Sequence, residues 1–316
     1  MNQLEQLKQF STVVADSGEF ATLAQFGAED ATTNPSLILK AAQIDEYRPL
    51  IEEAVEYAKS KDAENPLSHA MDKVSVNFGL KILEIVPGVV STEIDARLSF
   101  DKDACVKKAL EIIALYEQAG IPRERVLIKI ASTWEGIQAA RELQSKHNVR
   151  CNLTLMFCLA QAAAAAEAGA TLISPFVGRI TDFHKQKQGV DAFEPESDPG
   201  VLSVRAIYAY YKKYGYDTVV MGASFRSKEQ VLALAGCDKL TVAPKLLTAM
   251  SQCNDSVEQK LSPSAEVEVP EKLDSSESAF RWAVNADPCA VEKLSDGIRR
   301  FAADTEKLEK LLSDML

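Results

Sequence analysis

The chain has few of the residues that usually hold a metal ion or a disulfide framework. It contains only three histidines, at positions 69, 147 and 184, and each is isolated in the sequence. Its six cysteines include no C-x-x-C pair, so the sequence has neither zinc-ligand spacing nor a redox dithiol motif. The simplest interpretation is a reduced interior in which cysteines act as small apolar residues, and this favours a cytoplasmic protein.

Features of membrane proteins and nucleic-acid-binding proteins are also scarce. The least polar region, about residues 153–180, is interrupted by Gln161, Glu167 and Arg179 and is too polar for a membrane span. The first residues show no basic leader or apolar signal segment and suit a short amphipathic helix. Because 46 acidic residues outnumber 35 basic ones, we expect no nucleic acid or anionic membrane as a partner. A local basic cluster could still bind a phosphate group.

What the sequence does contain is a regular alternation of short β-rich runs with helical stretches. The strand candidates are residues 12–17, 31–34, 89–95, 126–131, 151–157, 172–176, 218–223 and 239–244. Eight strands alternating with helices are typical of a (β/α)8 barrel, and we expect a single domain over residues 1–316. A doubly wound sheet is the alternative, but no G-x-G-x-x-G or Walker A loop supports it.

Three segments fall outside this alternation. Residues 182–200 are expected to form a long polar loop after the sixth strand, and residues 252–278 are expected to cross the surface. Residues 291–316 have a strong amphipathic pattern, with Ile298, Phe301 and Leu308 on one side. The sequence therefore predicts an extra helix at the N-terminus and extra helices at the C-terminus of the chain.

The fourth strand candidate, VLIKIA at residues 126–131, contains a lysine among apolar residues. Alternate side chains of a barrel strand point into the lumen, so Leu127, Lys129 and Ala131 should point inward. The same alternation places further inward side chains toward the carboxyl ends of five other strands, where active sites of such barrels lie. They are Asp16, Thr32 with Asn34, Ser91 with Glu93, Asn152 with Thr154, and Ser174 with Phe176.

Several of these residues also have a purely structural interpretation. Lys129 and Glu93 could form a buried ion pair. Asn34 before Pro35 could cap a helix, and Asp16 could be a turn residue. The combination of one lysine, two carboxylates, two amides and several hydroxyls in one lumen nevertheless favours catalysis.

Two arginines follow the sixth and seventh strand candidates. Arg179 follows SPFVG, and Arg226 follows GASF beside Ser224. Ser227 and Gln230 have capping-box spacing, which places Arg226 at a helix N-terminus, where an anion is favoured. Two arginines at neighbouring positions of a barrel mouth suit a phosphate group, although each could instead be a solvated loop residue.

A lysine in an apolar barrel lumen suggests Schiff-base chemistry. Desolvation disfavours an ammonium ion, and a neutral amine can attack a ketone. The resulting iminium stabilises the enamine that remains when the adjacent C–C bond breaks, while carboxylates manage the protons. Metal-dependent aldol cleavage would need a cluster of ligands, which three scattered histidines do not supply.

Seven stretches can be compared with known families: VVADSG, DATTNPSLIL, STEIDARLS, LIKIASTWEGI, CNLTLMF, LISPFVGRI and VVMGASFR. Together, and in this order, they resemble the transaldolase family along nearly the whole chain. The resemblance implies a (β/α)8 barrel that needs no metal or organic cofactor and moves a dihydroxyacetone unit between sugar phosphates of the pentose phosphate pathway. It also implies a homodimer and C-terminal helices near the barrel mouth.

The resemblance also implies a role for each site residue. Lys129 would form the Schiff base, and Asp16 would be the acid/base at the cleaved C–C bond. Glu93 would act through a water molecule held with Thr154. The substrate-binding residues would be Asn34, Asn152 and Ser174 at the dihydroxyacetone hydroxyls, Thr32 and Ser91 lining the site, Arg179, Ser224 and Arg226 at the phosphate, and Phe176 at the pocket wall.

Two other functions stay open at the level of sequence. A Schiff-base aldolase of the same superfamily would release free dihydroxyacetone, but such enzymes are shorter and tend to have tyrosine where this chain has Phe176. A catalytically inactive barrel that only binds sugar phosphates is the second alternative, and the complete set of polar lumen residues argues against it.

Overall fold

Eight parallel strands close into a barrel in the computed structural model, which describes residues 1–61, 65–264 and 268–316. Strands that are consecutive along the chain are neighbours in the sheet, and β8 pairs with β1. The (β/α)8 barrel predicted from the sequence is confirmed. The strands are β1 (Thr12–Asp16), β2 (Asp30–Thr32), β3 (Val90–Glu93), β4 (Val126–Ala131), β5 (Cys151–Met156), β6 (Leu172–Pro175), β7 (Val219–Gly222) and β8 (Lys239–Val242).

Helices surround the barrel, and the expected extra helices at both ends of the chain are present. No helix in the described ranges is long and apolar enough to cross a membrane. The helices are α1 (Gln3–Leu7), α2 (Phe20–Phe26), α3 (Pro35–Ala41), α4 (Arg48–Ser60), α5 (Pro66–Leu83), α6 (Lys102–Gln118), α7 (Trp134–His147), α8 (Leu159–Glu167), α9 (Val177–Gln188), α10 (Pro199–Tyr214), α11 (Lys228–Leu232), α12 (Pro244–Ser251), α13 (Glu277–Ala286) and α14 (Pro288–Ser313).

The expectation of a loop over residues 182–200 is wrong at its beginning. Helix α9 continues to Gln188 because Ile180 and Phe183 are buried on its inner side. It ends at Gly189, which has a left-handed φ of 66°. The connection to α10 is therefore restricted to about ten residues, 189–198.

The barrel lumen is layered along its axis. Val14, Leu127, Leu172 and Met221 form a buried apolar cluster inside the barrel. Two residues further along three of these strands come Asp16, Lys129 and Ser174. Because side chains alternate along a strand, each of these polar residues lies above an apolar one. The apolar cluster is therefore the floor of a polar layer.

Helix α14 packs near the barrel mouth, as expected. Its residues Ile298 and Phe301 join a buried cluster with Leu155, Phe157 and Phe176, which follow or end strands β5 and β6. The apolar side predicted for this helix is thus buried over the carboxyl ends of the strands, and it closes part of the opening above the polar layer.

Candidate functional site

Lys129 and Glu93 form an ion pair at the centre of the polar layer. The two residues lie opposite each other in the register of β3 and β4. Lys129 Nζ is 3.0 Å from Glu93 Oε2, and it also donates a hydrogen bond to the Thr33 carbonyl oxygen at 3.1 Å. Lys129 is only 4% exposed. The expectation of apolar surroundings for this amine is therefore wrong: its neighbours are polar, and the apolar floor lies one layer below.

Asp16 ends β1 and belongs to a second group of polar side chains. Thr32 Oγ1 donates to Asp16 Oδ1 at 3.1 Å and lies 3.0 Å from Thr241 Oγ1. Burial raises the pKa of the Asp16 carboxyl above its ordinary value, while the charges of Lys129 and Lys40 and the Thr32 hydrogen bond oppose this rise. A carboxyl with a raised pKa takes up a proton more readily than an ordinary carboxylate, which suits a group that accepts and returns a proton.

Glu93 is also placed for proton transfer. Burial raises its pKa, and the nearby Lys129 charge is the largest opposing influence. Thr154, on the inward side of β5, is fully buried, and its Oγ1 has no hydrogen-bond partner among the described residues. A buried hydroxyl without a partner is costly unless a water molecule or substrate satisfies it.

The inward amides and hydroxyls of β3, β5 and β6 form a continuous chain. Asn152 Nδ2 donates to Ser91 Oγ at 3.1 Å, and Ser174 Oγ donates to Asn152 Oδ1 at 2.7 Å. The alternation of side chains correctly predicted that these three residues share the lumen. Asn34 caps α3, because its Oδ1 accepts from Leu37 N, and the residue also lines a cavity at the barrel mouth.

A break in the regular pairing of β5 shapes the site beyond Thr154. The register between β5 and β6 shifts between Leu153 and Met156, and Leu155 has a positive φ of 52°. The side chain of Gln161 stabilises this segment. Its Oε1 accepts from Phe157 N at 2.8 Å and from Cys158 N at 3.2 Å, and its Nε2 donates to the carbonyls of Ser132 and Leu155.

A cavity of about 190 Å³ opens above this polar layer. Thr32, Lys129 and Asp16 lie on its lining, as do Ser174 and Arg179. Glu93 lines a second cavity of about 360 Å³, which extends between α5, α6 and α14, and Asn34 lies on the lining of both cavities. The smaller cavity is the candidate functional site because it contains the lysine amine, a carboxylate and an arginine together.

One end of this cavity carries Arg179, at the start of α9. Its guanidinium carbon lies 5.2 Å from the ring centre of Phe176 and 5.8 Å from that of Phe301. Arg179 Nη1 is buried without a hydrogen-bond partner among the described residues. Burial lowers the pKa of this guanidinium, and the charge of Arg300 lowers it further. An anionic ligand would supply the missing partner.

Arg226 lies beside Arg179 but is differently bound. Its Nε and Nη2 donate to Asp182 Oδ2 at 3.0 and 2.8 Å, and its Nη1 is 3.4 Å from Ser224 Oγ. A Cβ added at Gly178 would lie 2.4 Å from the Ser224 carbonyl oxygen and 2.7 Å from Arg226 Cγ. This glycine therefore lets the start of α9, which carries Arg179, approach the loop that carries Arg226.

The capping box predicted at α11 is only half present. Ser227 Oγ accepts from Gln230 N at 3.3 Å, so the helix begins where expected. Gln230 Oε1, however, accepts from Arg226 N at 2.7 Å and not from the N-cap residue. The glutamine thus holds the backbone of Arg226 directly.

Sequence reasoning missed four residues that shape the site. Thr241 is an inward residue of β8, and the alternation of side chains would have found it. Phe301 was expected on the apolar side of α14, but only the packing of that helix places it in the cavity. Gln161 binds the nearby backbone of Leu155, Phe157 and Cys158 as well as Ser132. Asp182 accepts from Arg226, 44 positions away in the sequence, and the sequence pattern gives no signal for that contact.

The arrangement places a lysine amine, two carboxyls with raised pKa and two arginines at one barrel mouth. Several amides and hydroxyls that can bind the hydroxyls of a sugar lie beside them. An amine can attack a ketone, and the carboxyls can move the protons that carbinolamine and iminium formation require. The arginines can hold a phosphate at the far end of the same ligand.

Comparisons with known proteins agree with this chemistry. The model of the family described as transaldolase/fructose-6-phosphate aldolase matches residues 13–312. The chain is 55% identical to Transaldolase 1 of Pectobacterium atrosepticum over 319 aligned positions, covering 100% of both chains. It is 55% identical to transaldolase of Rattus norvegicus and 54% identical to that of Homo sapiens, covering 99% of this chain and 94% of each relative. The chain therefore belongs to the transaldolase/fructose-6-phosphate aldolase family.

Proposed function

We propose that this protein is a transaldolase of the non-oxidative pentose phosphate pathway. It would move a dihydroxyacetone unit from sedoheptulose 7-phosphate to glyceraldehyde 3-phosphate, giving erythrose 4-phosphate and fructose 6-phosphate. The observation that carries this proposal is the buried Lys129 amine, 3.0 Å from Glu93 Oε2 and in one polar layer with Asp16. Membership of the family and the names of full-length relatives support it independently.

The covalent chemistry would begin at Lys129. Its amine attacks the ketose carbonyl, and Glu93 moves protons through a water molecule that the Thr154 hydroxyl helps to hold. Loss of water gives the iminium, so the lysine itself supplies the electron sink and no metal or organic cofactor is required. Asp16 then accepts the hydroxyl proton as the adjacent C–C bond breaks, and it returns this proton when the enamine attacks the acceptor aldehyde.

The remaining polar residues would hold the substrate. Asn34, Asn152 and Ser174 are proposed to bind the dihydroxyacetone hydroxyls, with Thr32 and Ser91 beside them. The chain of hydrogen bonds from Ser91 through Asn152 to Ser174 supports this role, because it orients the amide before substrate arrives.

The phosphate is proposed to bind between Arg179, Ser224 and Arg226. Arg179 Nη1, which has no hydrogen-bond partner in the described part of the chain, and the closeness of Arg226 to Ser224 support this location. Phe176 would wall the pocket, since its ring lies under the Arg179 guanidinium. Sugar phosphates are therefore the proposed partners.

Borohydride reduction in the presence of fructose 6-phosphate tests the proposal. The reductant converts the iminium to a stable amine, so peptide mapping should find the sugar adduct on Lys129. Absence of an adduct, or an adduct on another lysine in folded protein, would overturn the assignment.

The family description also includes fructose-6-phosphate aldolase, which makes release of free dihydroxyacetone the second candidate. The two activities share the Schiff base and differ in whether the enamine waits for an acceptor aldehyde. We expect turnover of fructose 6-phosphate to be slow without erythrose 4-phosphate and fast with it. Equal rates in both assays would favour the aldolase.

We further propose a cytoplasmic homodimer in which residues 1–316 form a single domain that binds no nucleic acid. The six free cysteines and the net charge of −11 support a reducing compartment and argue against polyanion binding. Sedimentation equilibrium tests the dimer, and a single cooperative unfolding transition tests the single domain.

A further inference from the structure

Three oxygen atoms from three adjacent strands form a short chain beside the cavity. Strand β1 lies between β8 and β2, with Val14 opposite Thr241 and Asp16 opposite Thr32 in register. The two threonine side chains meet in front of β1. Thr241 Oγ1 is 3.0 Å from Thr32 Oγ1, which is 3.1 Å from Asp16 Oδ1. Thr241 and Thr32 are 4% and 3% exposed, so water does not readily replace either contact.

The direction of these hydrogen bonds depends on the state of the carboxyl. Each hydroxyl has one hydrogen to donate. When Asp16 is ionised, Thr32 donates to it and Thr241 can donate to Thr32. When Asp16 carries a proton and donates it to Thr32, the Thr32 hydrogen must turn to another acceptor. Thr241 Oγ1 is the acceptor within reach, and without it a buried donor would be left unpaired, which is costly.

We propose that Thr241 is a positioning residue that stabilises the protonated form of Asp16 during C–C bond cleavage. This inference rests on the proposed function. In that step the electrons of the C–C bond move to the iminium nitrogen on Lys129 and form the enamine. The C4 hydroxyl becomes the aldehyde carbonyl, and its proton passes to Asp16. Thr32 then donates to Thr241, and the Thr241 hydrogen turns toward the cavity that this residue lines; the reverse reaction restores both hydroxyls.

Several charged groups lie around Asp16, whereas Thr241 is uncharged. The charges of Lys129 on β4 and Lys40 on α3 both act on Asp16, and the charge of Asp16 in turn acts on Glu93 of β3. From β8, Lys239 is paired with Asp30 nearer the amino end of the barrel. A substitution of Thr241 therefore changes its hydrogen bond to Thr32 and leaves the charges near the Asp16 carboxyl as they are.

Two substitutions at Thr241 separate its hydroxyl from its shape. Thr241→Val keeps the shape and removes the hydroxyl, whereas Thr241→Ser keeps the hydroxyl and removes the methyl group. We measure single-turnover cleavage of fructose 6-phosphate with enzyme in excess, and Schiff-base formation by borohydride trapping in the same samples. Thr241→Val should slow cleavage by about tenfold, the effect of one lost buried hydrogen bond, while trapping keeps its rate. Thr241→Ser should retain most of the cleavage rate.

The pH profile gives an independent readout. Because Thr241→Val destabilises the protonated carboxyl, the acid limb of the cleavage rate should move to lower pH. Thr241→Ser should leave that limb in place. A residue that only fills space would slow both steps together and would not move the limb.

Three results would overturn the inference alone: unchanged cleavage and pH profile in Thr241→Val, equal slowing by the serine and valine variants, or equal slowing of trapping and cleavage. If the valine variant does not fold, Thr241→Ala and Thr241→Ser provide the same comparison, since they differ by one hydroxyl. Failure of the unmodified protein to form an adduct at Lys129 would overturn the proposed function and this inference with it.

Discussion

Lys129 on β4 and Glu93 on β3 lie opposite each other on adjacent strands, with 3.0 Å between Lys129 Nζ and Glu93 Oε2. Both side chains are almost completely removed from solvent. A buried ion pair is weak support for stability, because the loss of hydration offsets much of the attraction. A catalytic role explains the pair better, since it keeps an amine next to a carboxyl that can exchange protons with it.

Lys129→Met should abolish turnover without unfolding the barrel. Methionine has a similar length but no amine, so we expect activity to fall at least about 10⁴-fold, as for other covalent catalysts. Glu93 then loses its cation, but its raised pKa eases uptake of a proton. Steady-state kinetics and thermal unfolding test this.

The control for that variant is Lys310→Met on the exposed side of α14, which should keep full activity. Residual activity within about tenfold of the unmodified protein in Lys129→Met would contradict the role of the amine.

Arg226→Ala should weaken binding of phosphorylated substrates. Loss of a charge-assisted contact predicts an increase in KM of about 10- to 100-fold for fructose 6-phosphate. The KM for dihydroxyacetone as donor should change little, because it has no phosphate. Arg48→Ala, which breaks a surface pair with Glu52, is the control. Equal effects of Arg226→Ala on both donors would remove the phosphate role.

Asp16→Asn should make the folded protein more stable at neutral pH, although it removes activity. The pKa of Asp16 is raised in the folded state, so the folded protein binds this proton more tightly than the unfolded chain does. Its ionised form therefore reduces stability once the pH exceeds the folded pKa. The gain from asparagine should be largest at neutral pH and should vanish as the pH falls below the ordinary carboxyl value of 3.8.

Glu142→Gln provides a control of opposite sign for the pH experiment. Hydrogen bonds from Lys102 and Lys146 lower the pKa of this surface carboxyl, so its substitution should reduce stability slightly at neutral pH. Urea unfolding of both variants from pH 3 to 8 measures the two slopes. The same sign for both would show that the raised pKa of Asp16 is wrong.

Gln161→Met should destabilise the protein and impair catalysis together. The substitution leaves two backbone N–H groups and two carbonyls around the β5 irregularity without their partner. We expect the free energy of unfolding to fall by about 2–4 kcal/mol. Gln138→Met is the matched control, because Gln138 Nε2 is buried without a partner in the described part of the chain. That variant should be neutral or stabilising, and equal losses would refute the argument.

Much of the candidate site could be predicted from the sequence because a barrel strand has a strict period of two. Once Lys129 is placed inside the lumen, the same alternation places Asn152, Ser174 and Glu93 there, and the structure agrees. The prediction failed where the local pattern changes. A helix extends into residues 182–188 because buried Ile180 and Phe183 continue its inner face, although the surrounding composition is polar.

Sequence by itself determined the barrel, the strands that build it and the inward set of polar side chains, because alternation and helix signals are local properties of the chain. Only the tertiary structure decided which of these groups touch. It paired Thr241 with Thr32 across β1, placed Arg179 between Phe176 and Phe301 and kept Lys129 in polar surroundings above the apolar floor. These contacts join residues up to 209 positions apart, and closure of the barrel and packing of α14 bring them together.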